Sequence, residues 1–380
     1  MTTRPPNEHP ALSAFGGLLA VHAHPDDETL STGALIASFA AAGRPVYVVT
    51  CTRGERGEVL ALPGTTSERR AGLEGDGPAL GAYRETELAA ALERLARAGA
   101  GDTDRPASAG TIEHTFLDTL PLSAAQVAGV THGSDAAGTD AAGSDAAGEV
   151  RYEDSGMAWV APGVAGPAPD APPTAFARVS LEESAARLAV LVRARRPAVV
   201  ATYEPGGGYG HPDHVRAHEV TVRALQLAAD PAWRPDGARR AAAEGRAAVV
   251  GPGEEPWAGA ELWQAVASAS DLREARAMLA ALPEARALAA AEGLTFADPD
   301  GDLPPFAKEN LEAAGLRVVR VDVGPVLDRV TAALRAHATQ VQHTTALTRP
   351  EGLVAGWYAL SNGVLSPILT SETYLAADPG

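Results

Sequence analysis

The sequence predicts an α/β protein built on a Rossmann-like, doubly wound, mostly parallel sheet, followed by a smaller C-terminal α+β region. Three observations carry that reading. From Gly17 short apolar runs alternate with longer stretches at helical spacing; two polar loops each follow directly on one of those runs; and beyond Pro231 the texture shifts to Ala, Arg, Glu and Pro. Alternating strand and helix patterns build βα units, and an open sheet of such units places its ligands outside the carboxyl ends of the strands.

The elements follow in order. Leu18 to Ala23 reads as the first strand. Thr29 to Ala42 is a helix with Leu30, Ala34, Leu35 and Phe39 at helical spacing, terminated by Gly43 and Pro45. The β-branched run Val46 to Cys51 is the second strand, and Gly64 to Gly77 is a glycine-rich loop. A helix runs from about Ala79 to Ala98 with Leu88, Leu92 and Leu95 on one face, and Thr111 to Leu117 is a third, weaker strand. Regular patterning fades between Ser123 and Ala177, where Ser134 to Gly148 repeats a pentamer three times. That repeat is too short and polar to form a solenoid and reads as a disordered surface insertion. A capping box, Ser180 with Glu183, opens the next helix, and Pro197 stops it. Ala198 to Tyr203 is the fourth strand, Glu204 to Pro212 a glycine-rich loop, and Asp213 to Ala229 another helix. Helices are also expected near Glu261 to Ala281 and Gly324 to Ala338. The expected organisation is a flexible tail over 1–16, a Rossmann-like main domain over 17–230 with a low-complexity insertion at about 123–150, and a smaller C-terminal α+β region over 231–380.

Composition excludes several classes. The 380 residues carry 31 Lys and Arg against 48 Asp and Glu, a formal charge of −17, which argues against nucleic acid or an anionic membrane surface as partner. With the single cysteine, Cys51, no internal disulfide framework or cysteine-based structural zinc site is available, which fits a reducing, cytoplasmic setting. Met1 to Pro10 lacks the apolar core of a signal peptide. The partner these features favour is a small molecule.

Two loops carry chemistry. His24-Pro25-Asp26-Asp27-Glu28 follows the first strand, and its histidine and adjacent carboxylates offer the mixed nitrogen and oxygen donors that zinc accepts. An acidic helix N-terminus, complementing the helix dipole, is the plain alternative. Gly206 to His214 (GGGYGHPDH) follows the fourth strand in the same topological position. It lacks the Lys-Ser/Thr of a phosphate loop and the spacing of a dinucleotide fingerprint. Two such loops can converge over one crevice, which favours a metal site. His218 and His22 are expected to pack or hydrogen-bond beneath it, and Cys51 to be a small buried hydrophobe. Glu55 and Glu58 fall in a loop at the carboxyl edge, within reach of His24 or a bound hydroxyl, and are given no role; His114, His132, His337 and His343 lack partners at ligand spacing and stay unassigned.

This pair of motifs resembles the zinc-dependent LmbE-like or PIG-L deacetylase family, whose members cleave N-acetyl groups from amino-sugar conjugates. Segments at Val49, Gly81, Arg151, Ala332 and Ala359 resemble most the mycothiol-biosynthesis branch acting on N-acetylglucosaminyl-inositol. The resemblance implies that His24, Asp27 and His214 bind one Zn2+ per chain, a donor set that also accepts Fe2+. It implies Asp26 as general base, Tyr209 and His211 as oxyanion stabilisers, and Asp213 as the group orienting a histidine. Arg84 and Asp154 match substrate-contacting positions, with Met157 and Ser31 expected in the same pocket. A sister amidase acting on mycothiol S-conjugates typically carries a lysine shortly after the HPDDE loop, where this chain has Ser31-Thr32-Gly33. A third reading is a non-catalytic sugar-binding protein on the same scaffold, which the filled metal and base positions disfavour.

Overall fold

The computed structural model describes residues 16–97, 111–120, 151–161, 164–235, 255–313 and 315–377. The N-terminal tail before residue 16, the pentamer repeat and His132 lie outside the described residues. Five parallel strands form the heart of the main sheet: β1 (Leu18–His22), β2 (Val46–Thr50), β3 (Ile112–Phe116), β6 (Val199–Tyr203) and β7 (Glu261–Ser268), in the spatial order β3-β2-β1-β6-β7. The order reverses at β1, with β2 on one side and β6 on the other, so the crevice expected at such a switch point opens beyond the carboxyl ends of β1 and β6. A short antiparallel pair, β4 (Met157–Ala161) and β5 (Val164–Pro167), lies in the stretch where sequence patterning had faded.

Apolar layers cover both faces of the sheet. One joins Leu18, Ala20, Val46 and Val48 to Leu35, Phe39, Leu88 and Leu92 of helices α1 (Asp27–Ala41) and α2 (Gly77–Ala96). The other joins Leu19, Val21, Val49 and Val200 to Leu188, Leu191, Val220 and Ala224 of helices α3 (Leu181–Arg195) and α4 (Pro212–Ala229). Strands buried on both faces read as near-continuous apolar runs rather than alternating ones, which is how β1, β2 and β6 appear in the sequence.

The same rule corrects one expectation. The helix predicted from Glu261 begins only at Ala269, as α5 (Ala269–Ala281), and the residues before it are the strand β7. Leu262, Trp263, Val266 and Ala267 are buried between β6 on one side and β14 (Ser371–Ala377) on the other, and their spacing also fits a helix face. Ser268 accepts the amide N–H of Asp271 at 3.3 Å and so marks where the helix starts.

The boundary expected at residue 230 also shifts in meaning. β7, β14 and β10 (Arg317–Asp322) extend the main sheet, β14 running antiparallel to both neighbours. One sheet therefore spans the two expected regions. Helix α6 (Pro283–Glu292) and a second sheet, β11 (Gln342–Glu351), β12 (Val354–Ala359), β13 (Val364–Leu369) and β8 (Thr295–Phe296), form the smaller C-terminal α+β part. Helix α7 (Leu327–Ala336) packs back on α1 and α2. Among the described residues no helix is long and apolar enough to cross a membrane.

Helix α1 is interrupted at Thr32, whose φ of −141° and ψ of 17° are non-helical. The interruption frees backbone N–H groups at a new helix start, and Glu372 of β14 accepts two of them, from Ala34 at 2.7 Å and Leu35 at 2.9 Å. Tyr374 donates its hydroxyl to the same carboxylate at 2.6 Å. Burial pushes the Glu372 carboxyl up to about 7 from 4.5, against these three donors. A carboxyl raised on folding contributes stability that is present below its unfolded pKa and lost as pH rises through about 7. Urea denaturation of wild type and Glu372→Gln should therefore show wild type losing about 2.5 kcal/mol relative to the variant between pH 5 and pH 8. A difference independent of pH rejects this account of Glu372.

Candidate active site

The two motif loops meet at the switch point. His24 Nδ1, Asp27 Oδ2 and His214 Nε2 form a nearly equilateral triangle with sides of 3.2 Å, 3.3 Å and 3.3 Å. Zinc ligands at ~2.0–2.1 Å in tetrahedral geometry stand ~3.3–3.4 Å apart, so two imidazole nitrogens and a carboxylate oxygen at this spacing fit a metal ion. Donor atoms of His24, His211 and His214 also lie within 4.8 Å of one another, as do those of His24, Asp154 and Asp213. The site thus has further nitrogen and oxygen atoms around the triangle.

The local fold explains the triangle. Asp27 opens α1, and its Oδ2 also accepts the amide N–H of His24 at 2.9 Å, tying the turn to itself. His24 turns its other nitrogen, Nε2, toward Asp213 Oδ2 at 3.2 Å and Asp154 Oδ1 at 3.6 Å. Asp213 is fixed in turn by the amide N–H of Ser155 at 2.9 Å and by the Ser155 hydroxyl. A carboxylate behind a histidine fixes the ring's orientation and raises its basicity. His214 Nε2 faces the triangle while its ring stacks on Tyr203 at 4.2 Å and 14°. Tyr203 accepts the Ala23 amide at 2.9 Å and hydrogen-bonds Asp27; burial keeps its phenol well above the ordinary range. Burial opposes ionisation of Asp27, but His214 and His24 outweigh it and hold the carboxyl well below the usual range.

Asp26 has a different partner. Its backbone has φ 123° and ψ −33°, a region L-residues rarely adopt, and its Oδ1 lies 3.3 Å from Arg84 Nη2. Burial pushes its carboxyl up to about 7 despite the Arg84 guanidinium. His211 Nδ1 accepts the Asp213 amide at 3.1 Å, so in the neutral ring the proton sits on Nε2. Burial, reinforced by His24 and His214, drives the His211 pKa well below its ordinary value. The Tyr209 ring is 5.0 Å from His214, and burial raises its phenol so that it stays protonated.

The remaining expected residues divide. Asp154 is buried at the site, accepting the amides of Gly156 at 2.8 Å and Arg56 at 3.2 Å. Met157 is half-buried at the start of β4. Arg84 lies beneath the loop rather than at an open surface: it is buried and donates to the carbonyls of Pro25 at 2.5 Å and Gly54 at 2.8 Å. Ser31 sits half-buried beside the α1 interruption, its carbonyl accepting from Tyr374 at 3.4 Å, and among the described residues no contact joins its side chain to the donor triangle. His22 bonds Thr32 at 2.9 Å and His218 donates to the Tyr203 carbonyl at 2.8 Å, both below the site. Tyr203 and Ser155 were missed by the sequence reading. Tyr203 had a signal, as the last residue of a strand that feeds a motif loop.

The family model described as GlcNAc-PI de-N-acetylase, PIG-L, matches residues 19–225, just over half of the chain. The chain belongs to the PIG-L family. Curated relatives extend the likeness beyond that span. A 1D-myo-inositol 2-acetamido-2-deoxy-alpha-D-glucopyranoside deacetylase of Kineococcus radiotolerans is 39% identical over 94% of this chain and 76% of its own. One from Saccharopolyspora erythraea is 37% identical over 96% of this chain and 91% of its own. One from Nocardioides sp. is 37% identical over 85% of this chain and 83% of its own. The PIG-L match ends inside α4, so β7, β10 and β14 lie beyond it even though they complete the sheet that carries the site.

Gly207 makes the second PIG-L loop geometrically feasible. At φ 64° a Cβ there would meet Val215 N at 2.6 Å and His214 Cβ at 2.9 Å, whereas Gly64, at φ 77°, has nothing within 4 Å. Both alanine variants carry backbone strain of ~1–2 kcal/mol, but only Gly207→Ala adds a collision, worth a further ~1–3 kcal/mol. Thermal denaturation of the two variants checks this. Equal losses mean that the close approach to His214 is unimportant.

Proposed function

We propose that this chain is a metal-dependent N-deacetylase that hydrolyses the acetamide of N-acetylglucosaminyl-inositol to the free amine and acetate, in mycothiol biosynthesis and in the cytoplasm. The observation that carries the reaction class is the separation of neighbouring carboxylates, Asp27 in the donor triangle and Asp26 outside it. The substrate rests on the names of the curated relatives. His24, Asp27 and His214 would hold the ion, zinc or iron(II), leaving coordination positions for water and substrate. When bound, the metal supplies Lewis acidity that polarises the acetyl carbonyl and acidifies water.

In this reading the residues divide the remaining work. Asp26, raised to about 7, takes a proton from the attacking water as a general base matched to neutral pH. Tyr209 offers its retained phenolic proton and His211 its Nε2 proton to the developing oxyanion. The proton held by Asp26 then passes to the departing amine. Asp213, braced by Ser155, keeps His24 in the tautomer that presents Nδ1 to the ion. Asp154 and Met157 line the sugar side of the pocket, where hydrogen bonds to hydroxyls discriminate better than apolar walls.

Metal analysis coupled to an amine-release assay tests the proposal, with N-acetylglucosaminyl-inositol and a mycothiol S-conjugate compared side by side. Asp26→Ala should lose at least ~10²–10⁴-fold in kcat while keeping its metal, whereas His214→Ala should lose metal and activity together. A fully active Asp26→Ala protein refutes the mechanism. Faster turnover of the S-conjugate moves the substrate to the sister amidase class.

A further inference from the structure

His337, at the C-terminal end of α7, has no part in the chemistry above, yet it is fully buried and reaches the turn that holds Asp26. Its Nε2 lies 2.8 Å from Glu28 Oε1, across 309 residues of sequence, and both side chains are 0% exposed. Glu28 spends its other oxygen, Oε2, on the amide N–H of Asp26 at 2.9 Å. Thr29 adds its hydroxyl to Oε1 at 2.5 Å. His337 is itself anchored at the C-terminal end of α7, where its carbonyl accepts the amides of Gln340 at 2.9 Å and Val341 at 2.8 Å. Two residues on, Thr339 is bound through its amide at 2.9 Å and its hydroxyl at 2.5 Å to Glu87 of α2.

The strained residue is the one this chain of contacts ends on. Asp26 holds φ 123°, a conformation that costs ~1–3 kcal/mol and persists only where its surroundings over-determine it. Arg84 grips the carbonyl on the N-terminal side of that peptide bond, Pro25 O, and Glu28 grips its N–H. Thr29 shares Oε1, but it belongs to the same turn; His337 ties Oε1 to the distant end of α7, and a buried carboxylate that loses such a partner turns to water or rearranges. From these contacts we infer that His337 is a positioning residue for Asp26: by holding Glu28 it fixes the peptide that sets the direction of the Asp26 carboxylate. The inference rests on the reading of Asp26 as general base.

The test uses the full-length, metal-loaded protein with His337→Leu, which removes the donor, His337→Gln, whose amide can still donate to Glu28, and Asp26→Ala as reference. Melting temperature, bound metal, kcat, KM and hydrogen exchange of the segment holding the Asp26 amide are measured for each. His337→Leu should lower kcat ~10–100-fold with KM changed less than about twofold and one metal per chain retained. Its Asp26 segment should exchange faster, and His337→Gln should recover kcat to within about fivefold and restore protection. A folded, metal-loaded His337→Leu protein with kcat within about twofold of wild type overturns the inference, as does loss of metal in step with activity. If His337→Leu does not fold, His337→Asn, too short to reach Glu28, is held to the same criteria. An active Asp26→Ala protein sinks the deacetylase mechanism instead; an inactive one beside a fully active His337→Leu protein sinks only the positioning role.

Discussion

Three consecutive carboxylates, Asp26, Asp27 and Glu28, are packed into one turn at the end of β1, and the site depends on each having a different partner. Left unpaired, buried charges cost several kcal/mol apiece, and neighbouring like charges raise that cost. Asp27 faces His24 and His214, Glu28 faces His337, and Asp26 faces Arg84. The outcome is a graded set. Histidines hold Asp27 well below the ordinary range despite burial, Glu28 falls to about 2 because His337 outweighs its own burial, and burial lifts Asp26 to about 7. Environments that push adjacent titratable groups apart are how one turn can supply both a fixed anion and a proton acceptor near neutral pH.

That division needs a backbone able to send neighbouring side chains in different directions. The φ of 123° at Asp26 does this by reversing the sense of the turn just before α1 begins. The strain is held by contacts from three separate elements: Arg84 from α2, Glu28 from α1, and, behind Glu28, His337 from the end of α7. The contacts that hold the carboxylates apart therefore come from parts distant in sequence.

This arrangement explains what was legible beforehand. The donors His24 and Asp27 lie in one short motif and His214 in another, both directly after apolar strand runs, so topology alone brings them to one crevice. Parallel strands β1, β2 and β6 were legible because two buried faces leave a plain apolar run. The same property hid β7, whose apolar spacing also fits a helix and whose identity is decided by β6 and β14 on either side. Tyr203, Ser155 and the Glu28–His337 pair were not legible. Their roles are contacts between loops and helix ends with no fixed spacing in sequence, and a histidine at a helix end looks the same whether it reaches a carboxylate or solvent.

The C-terminal half bears on the site through more than α7. Lys308, the single lysine of the chain, sits in the strand β9 (Ala307–Lys308) beside β7 and pairs with the buried Glu204 at 2.8 Å, at the start of the glycine-rich loop. Glu204 also accepts the amide of Gly208 at 3.2 Å, and the Gly208 carbonyl accepts the amide of Phe306 at 2.9 Å. A loop with three glycines at positive φ has large conformational freedom to lose, and these contacts remove it at the residue before Tyr209. With β14 capping the interrupted α1 through Glu372, both motif loops are braced by residues beyond 300. The region after residue 230 is thus structurally part of the unit that carries the site, and a division there would leave the first 230 residues with His24, Asp27 and His214 but without the supports that hold the two loops around them.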